Sequence, residues 1–587
     1  MEKELLSLRV DDIPLIYAEI QSLKIGELID RHFVAHGNWE GASAGSITEL
    51  WMCYILSEGD HRLSTVEQWA EDRIELLRVL SGTVELSSYD FSDDKLGLLL
   101  DYFGADELWG LIDLGISDCL LSVYRVGEEE LPVFRLDAAP MQSYGKVQEG
   151  GLLQYGYNKH HPNIGQLKIK LCTLDNGINY FASPICHLTV PGNVSDDELY
   201  LPIIKENKKH LAQNSSYSRG NLYVGDKKFG SLANRTYVES EKDYYMMPLS
   251  LVQLKLSQRK QAIEQRSEST YEKVYKEVKK GGIVEQFLVA QGFEEVVEME
   301  GIIAGVSHKW IERRLYVRSE KYVKSQTKSL ENRLEKSQSS IMGLGERKQG
   351  KKVLSTKQEY EEAIAKILKD NRVEGLLDYE ILKHQSIKKI RKHKDKPARE
   401  ELISTFEVKA SLKESAIEAY KKTLGWQVYA TNAPQAIMPF EKCVWKYRYQ
   451  SNIESRFDDL RNKVAGLVPI FLQKDIRIKG LVNILLSALK ICSNIEYKAT
   501  KSLKDKEEDL TNIFEGNPKR GTSRPSSKRL FSAFKGISIA LVFVAKSLDF
   551  ALMTPLQQTQ LDILDLLGIN KDIYLQLARK LEFQFST

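Results

Sequence analysis

The chain has 587 residues, of which 42% are hydrophobic and 28% charged, and a formal net charge of +2. It is long enough for several cores and has the composition of a soluble globular protein. Global basicity is excluded, so any nucleic-acid partner must be met by local patches. The six cysteines, Cys53, Cys119, Cys172, Cys186, Cys443 and Cys492, include no CxxC pair. Neither a zinc ribbon nor a disulfide framework is indicated, and a reducing, cytoplasmic setting fits.

In chain order, "MEKELLSLRVDD" lacks the apolar core of a signal peptide. Residues 1–126 are expected to form a helical domain without strands. "IPLIYAEIQSLKIGELIDRHF" carries apolar residues at helical spacing, and "ELWMCYILS" follows the turn "EGASAGS". The pattern changes over 127–255. "PVFRLD" is a short strand ending at Asp137, and "QLKIKLCTLD" and "INYFASPICHL" are strands around a "DNG" turn. "SDDELYLPIIKENKKH" is a helix, and "NLYVGD" is a fourth strand ending at Asp226.

Residues 256–422 shift to a charged composition and are expected to be an inserted domain. "RRLYVRSEKYVKSQTKSLENRLEKSQSS" predicts one long helix. "ILKHQSIKKIRKHKDKPARE" is the densest basic patch, with Lys388, Lys389, Arg391, Lys392, Lys394 and Lys396 as candidate phosphate contacts. Residues 423–500 return to a strand, "GWQVYATN", followed by the helix "WKYRYQSNIESRFDDLRNK". Over 501–587, a basic linker holds Lys519, Arg520, Arg524, Lys528 and Arg529 and leads into C-terminal helices. "ISIALVFVA" there predicts a core helix, too short to span a bilayer.

On the helix of 445–463, Tyr447, Gln450, Glu454 and Arg461 fall within an arc of about 60°, beside an apolar stripe. Alone, that is an ordinary charged shoulder. Two acids that end strands, Asp137 and Asp226, give Glu454 partners. In an RNase H-like core such positions converge at one sheet edge. Clustered carboxylates need compensating charge, which divalent cations supply. Two such ions about 3.5–4 Å apart suit phosphodiester chemistry. The adjacent His160 and His161 point opposite ways on an extended chain, so a loop role is expected, not a shared metal.

The stretch from "RLDAAPMQSYG" through "NKHHPNIGQLKIKLCTLDNG" to "VPGNVSDDELYLP" resembles the first half of a DDE transposase core from a bacterial insertion sequence. "LYVGDKKFGSLANR" with "DYYMMPLS" resembles the segment around the second aspartate, and "LGWQVYATN" and "YRYQSNIESRF" resemble the fifth and last core strand and the glutamate helix after it. The family signature there is Tyr-x2-Arg-x3-Glu-x6-Lys, matched in spacing by Tyr447, Gln450, Glu454 and Arg461. Gln450 stands where the family has Arg, and Arg461 where it has Lys. Ala138 and Ala139 follow the first aspartate where Thr is common.

The resemblance implies an α/β fold. Its RNase H-like mixed-sheet catalytic core is interrupted by an inserted domain and flanked by N- and C-terminal helical regions. It implies that Asp137, Asp226 and Glu454 hold two Mg2+ ions, with Mn2+ as a substitute. It implies that Tyr447, Gln450 and Arg461 meet DNA beside the cut, and that Trp426, in the strand before the glutamate helix, stacks a flipped base. Its reaction is cleavage of element ends and strand transfer into target DNA, carried out by a homodimer on double-stranded DNA, with no membrane, in a prokaryotic cytoplasm. The alternative is a domesticated or inactive relative that binds DNA without transposing it. The leading helical domain is the expected end-binding region.

Overall fold

The computed structural model describes residues 3–35, 37, 39–124, 131–157, 163–175, 182–212, 217, 220–280, 283–346, 354–390, 399–463, 466–544 and 547–586. The chain opens with a strand, β1 (Lys3–Arg9), followed by helices from Ile13–Ser22 to Asp106–Val123. Then come β2 (Val133–Gln142), β3 (Gln166–Asp175), β4 (Ala182–Pro191), the helix Tyr200–Leu211, β5 (Leu222–Val224), the helix Leu232–Ser240 and β6 (Tyr244–Pro248). β7 (Glu272–Lys280), β8 (Ile283–Ile303) and β9 (Val306–Ser319) follow. After the helices Glu320–Met342 and Lys357–Asp370 come β10 (Leu377–Ile390), β11 (Arg399–Leu412) and the helix Glu414–Lys422. β12 (Trp426–Thr431) leads to the helices Phe440–Arg448, Ser451–Asp458 and Asp475–Lys506, and β13 (Ser538–Val544) and β14 (Ser547–Met553) precede the last helices.

One nine-stranded sheet runs in the order β4-β3-β2-β5-β6-β12-β9-β8-β7. β2, β3 and β4 are antiparallel neighbours, while β5 lies parallel to β2 and β6 parallel to β5. That five-strand order, with helical crossovers between the parallel strands, is the RNase H-like arrangement. Its fifth strand is β6, in "DYYMMPLS", which has too short a pattern to announce itself. "GWQVYATN" is instead the sixth, antiparallel to β6 and to β9.

Several expectations are corrected. Residues 313–319 are strand, not helix, because "RRLYVRS" pairs with both β8 and β12 and buries Leu315 and Val317. The helix starts only at Glu320. The charged block 256–422 is therefore two things. Its first part, to Ser319, extends the catalytic sheet. The rest, 320–424, has a core of its own around Leu330, Leu334, Ile364 and Leu368. It leaves and rejoins the sheet at one point, where the Ser319 N–H donates to the Gly425 carbonyl at 3.0 Å and Arg318 pairs with Trp426. Gly425 has φ +84°, and a side chain there would strike Val323.

The N-terminal region is helical except for β1. That strand pairs with β13, so no local pattern marks it. Ser538–Val544, within "ISIALVFVA", is likewise a strand and not a helix, with Ile539 and Leu541 buried at alternate positions between β1 and β14. The helix Asp475–Lys506 is long and apolar enough to cross a membrane, but it is almost wholly enclosed by the fold. Its buried Lys490 meets Asp113, and its half-buried Lys498 meets the buried Glu19 at 2.9 Å. The helix thereby fastens the N-terminal helices to the catalytic sheet.

Candidate active site

The 445–463 segment is broken, not one helix. Phe440–Arg448 ends at Tyr449, Gln450 starts a second helix over Ser451–Asp458, and Asp459–Lys463 closes it with a π-helical turn. The break leaves Glu454 exposed in the first turn while Ile453 and Phe457 are buried. Arg456 sets the orientation. Fully enclosed, it donates to the Ala182 carbonyl at 3.0 Å, to Glu496 on the long helix at 3.0 Å and to Asp459 at 3.1 Å.

Asp137 sits in the middle of β2, past the last residue that pairs with β5, Arg135. Its Oδ1 accepts the Ala138 N–H at 2.8 Å. Burial pushes its carboxyl up to about 6; Lys170 and that N–H act against the rise, and Asp226 and Glu454 add to it. Asp226 follows β5 and caps the next turn, its Oδ1 accepting the Lys228 N–H at 2.8 Å and the Tyr200 hydroxyl at 2.7 Å. Acids from three elements thus meet at Asp137, on which Asp226 and Glu454 both act. Tyr447 lies among them: burial raises its hydroxyl pKa, as do Asp226, Asp137 and Glu454. Its ring packs on Tyr429 at 4.4 Å.

The acids fit hard divalent cations by donor type. Yet among the described residues no three His, Cys, Asp or Glu side chains close a metal cage. Magnesium is commonly held by one or two carboxylates, with water and phosphate completing the shell.

Gln450 and Arg461 reach the same strand. Gln450 Nε2 donates to the Leu136 carbonyl at 3.4 Å, and its Oε1 accepts from Arg135 Nη1 at 3.5 Å. Arg135 is fully buried and forks onto Asp175 at 2.8 and 2.6 Å. An arginine at 450 would set a second guanidinium against Arg135, which explains the amide. Arg461 Nη2 donates to the Pro140 carbonyl at 3.1 Å.

Trp426 is engaged elsewhere. It meets Tyr271 and Phe293 edge-on, at 5.5 and 6.0 Å, and its Nε1 donates to the Lys422 carbonyl at 3.3 Å. Lys389 projects from the β10–β11 ribbon, 3.5 Å from Glu400 and mostly exposed. The Lys388 backbone lies on the same ribbon; Arg391, Lys392, Lys394, Lys396, His160 and His161 fall outside the described residues. In the basic linker, Arg520 and Arg529 both stack on Phe514 at 4.2 Å, which ties them into the fold. Sequence reasoning missed Tyr200, Arg135, Arg456 and Lys170. The lysine stands in an alternating strand whose basic residues look solvent-facing.

The fold and its shared acid neighbourhood define an RNase H-like protein. The family described as the transposase DDE domain matches residues 132–489, more than half of the chain, and the chain belongs to that family. No curated protein matches. Among solved structures, a piggyBac transposase synaptic complex with hairpin DNA is similar at 9% identity and a TM-score of 0.34, covering 86% of this chain and 80% of that one.

Proposed function

We propose that this DDE transposase binds the ends of an insertion sequence, cleaves them and joins them to target DNA, with Asp137, Asp226 and Glu454 as the ligands of two divalent cations. What supports this reading is that three elements bring acids to Asp137: Asp226 and Glu454 both push its carboxyl up, and all three raise the hydroxyl of Tyr447. Divalent cations bound there would activate the attacking oxygen and stabilise the leaving one. The chain's own residues hold the geometry. Tyr200 and the Lys228 N–H orient Asp226. Arg456 fixes the helix that carries Glu454. Tyr447 walls the acids on one side, and Arg461, beside Pro140, offers charge to a phosphate. Two ends must be cut and joined together, which calls for a homodimer on DNA.

The second reading, a DNA-binding relative without catalysis, is favoured by Gln450, which supplies no charge where the family has Arg. One experiment separates them. Purified protein is incubated with a labelled end fragment and Mg2+. Nicked, hairpin or strand-transfer products support the transposase; end binding without any product, in Mg2+ or Mn2+, supports the relative.

A further inference from the structure

Beneath the acids lies a charge that this chemistry does not use. Lys170 stands on β3 opposite Ala138, one step from the Asp137–Leu171 pair and therefore on the other face of the sheet from Asp137. Its side chain is fully buried and its Nζ has no hydrogen-bond partner. The ammonium rests 3.2 Å from the centroid of the Tyr200 ring, whose hydroxyl donates to Asp226. An ammonium in such a place loses its hydration, and a ring face returns only part of that loss. The acids acting on it are Asp137, then Asp226, then Asp196. Asp196 has cations of its own, Lys168 at 2.6 Å and Lys228 at 2.9 Å. Lys170 makes no ion pair with a described acid; it adjoins Asp226 through the Tyr200 ring and Asp137 through the β2–β3 register.

We propose that Lys170 is a resident counter-cation of the Asp137–Asp226 pair, one that offsets their charge from beneath the strand before a divalent ion arrives and sets how tightly the site takes it. The inference rests on the reading of those acids as metal ligands. Lys170 is a positioning residue and touches no reacting atom. Its fixed charge stabilises the metal-free site and repels an incoming cation, so removing it tightens metal binding and weakens the metal-free protein.

The test is Mn2+ binding to the full-length chain, followed by the free-Mn2+ paramagnetic resonance signal and by the rise in Tm on adding Mn2+. Lys170→Met is expected to bind Mn2+ at least tenfold more tightly than the wild type and to show a lower Tm without metal but a larger rise with it. Lys170→Arg, which keeps the charge, should stay near wild-type affinity. Lys170→Gln is the neutral variant to use if Met does not fold. Unchanged or weaker Mn2+ affinity in a folded neutral variant overturns the proposal while leaving the metal-ligand reading intact. Wild-type Mn2+ affinity in Asp137→Asn/Asp226→Asn overturns the metal-ligand reading, and the role of Lys170 with it.

Discussion

The nine-stranded sheet has two unlike halves. In the β4-β3-β2-β5-β6 half the strands are covered by helices, and β3 is buried at nearly every position. In the β12-β9-β8-β7 half the hydrogen bonding continues, yet most of the long β8 is exposed or half-buried. Backbone pairing alone therefore does not make a site. The covered half excludes water, and there a carboxyl can be pushed up and a lysine left without a hydrogen bond. The other half is a platform from which the 320–424 module and its charged ribbon project.

The contrast can be broken first at the acids. Glu454→Gln should lower end cleavage by about a thousandfold or more, with DNA-end binding kept and Tm within about 1 °C, because the side chain is exposed and bonds to none of the described residues. Cleavage at the wild-type rate would remove Glu454 from the site. Next is Arg456→Met, which strands Glu496 inside the covered half. Urea unfolding should report a loss of about 3–5 kcal/mol.

A smaller effect follows pH. The folded carboxyl of Asp137 lies above its ordinary value, at about 6. Its protonated form therefore stabilises the metal-free protein at low pH, and that stabilisation is lost as pH rises through about 6. The loss amounts to about 2–3 kcal/mol. Compared with Asp137→Asn, the wild type should lose stability between about pH 4 and pH 7 in metal-free buffer; parallel profiles would count against the shift.

On the other half, replacing 320–424 by a short turn should join β9 directly to β12 as a hairpin, since Arg318 already pairs with Trp426. Mn2+ affinity is expected to change less than about twofold, because the module has its own core. Smallest of all, Lys389→Ala should move stability by under about 0.5 kcal/mol, since its pair with Glu400 is solvent-exposed. A filter-binding salt series would show whether that lysine meets phosphate.

The core strands were legible at "PVFRLD" and "NLYVGD", although the first does not end at Asp137 as expected but runs on to Gln142, because β3 pairs with it throughout. Asp137, Asp226 and Glu454 could be ordered on that basis. Other parts were hidden for physical reasons. β6 is short and owes its place to parallel pairing across a helix, which leaves no local mark. "RRLYVRS" and "ISIALVFVA" fit either period, and distant partners decided for strand. The same limit concealed Lys170. Its neighbour Lys168 reaches Asp196 while Lys170 is enclosed, and a residue letter does not reveal which of two lysines is covered by the ring of Tyr200.

The pairing of β1 with β13 bears on how the chain is made. A ribosome releases Lys3–Arg9 long before Ser538–Val544, so the strand waits with both edges unpaired while the intervening chain is made. The N-terminal helices can collapse early, but their sheet closes only after the catalytic strands have emerged. Contacts this distant in sequence are slow to form. A translation product stopped before β13 would carry an open strand edge with Leu5 and Leu6 exposed, a seed for aggregation and a target for proteolysis.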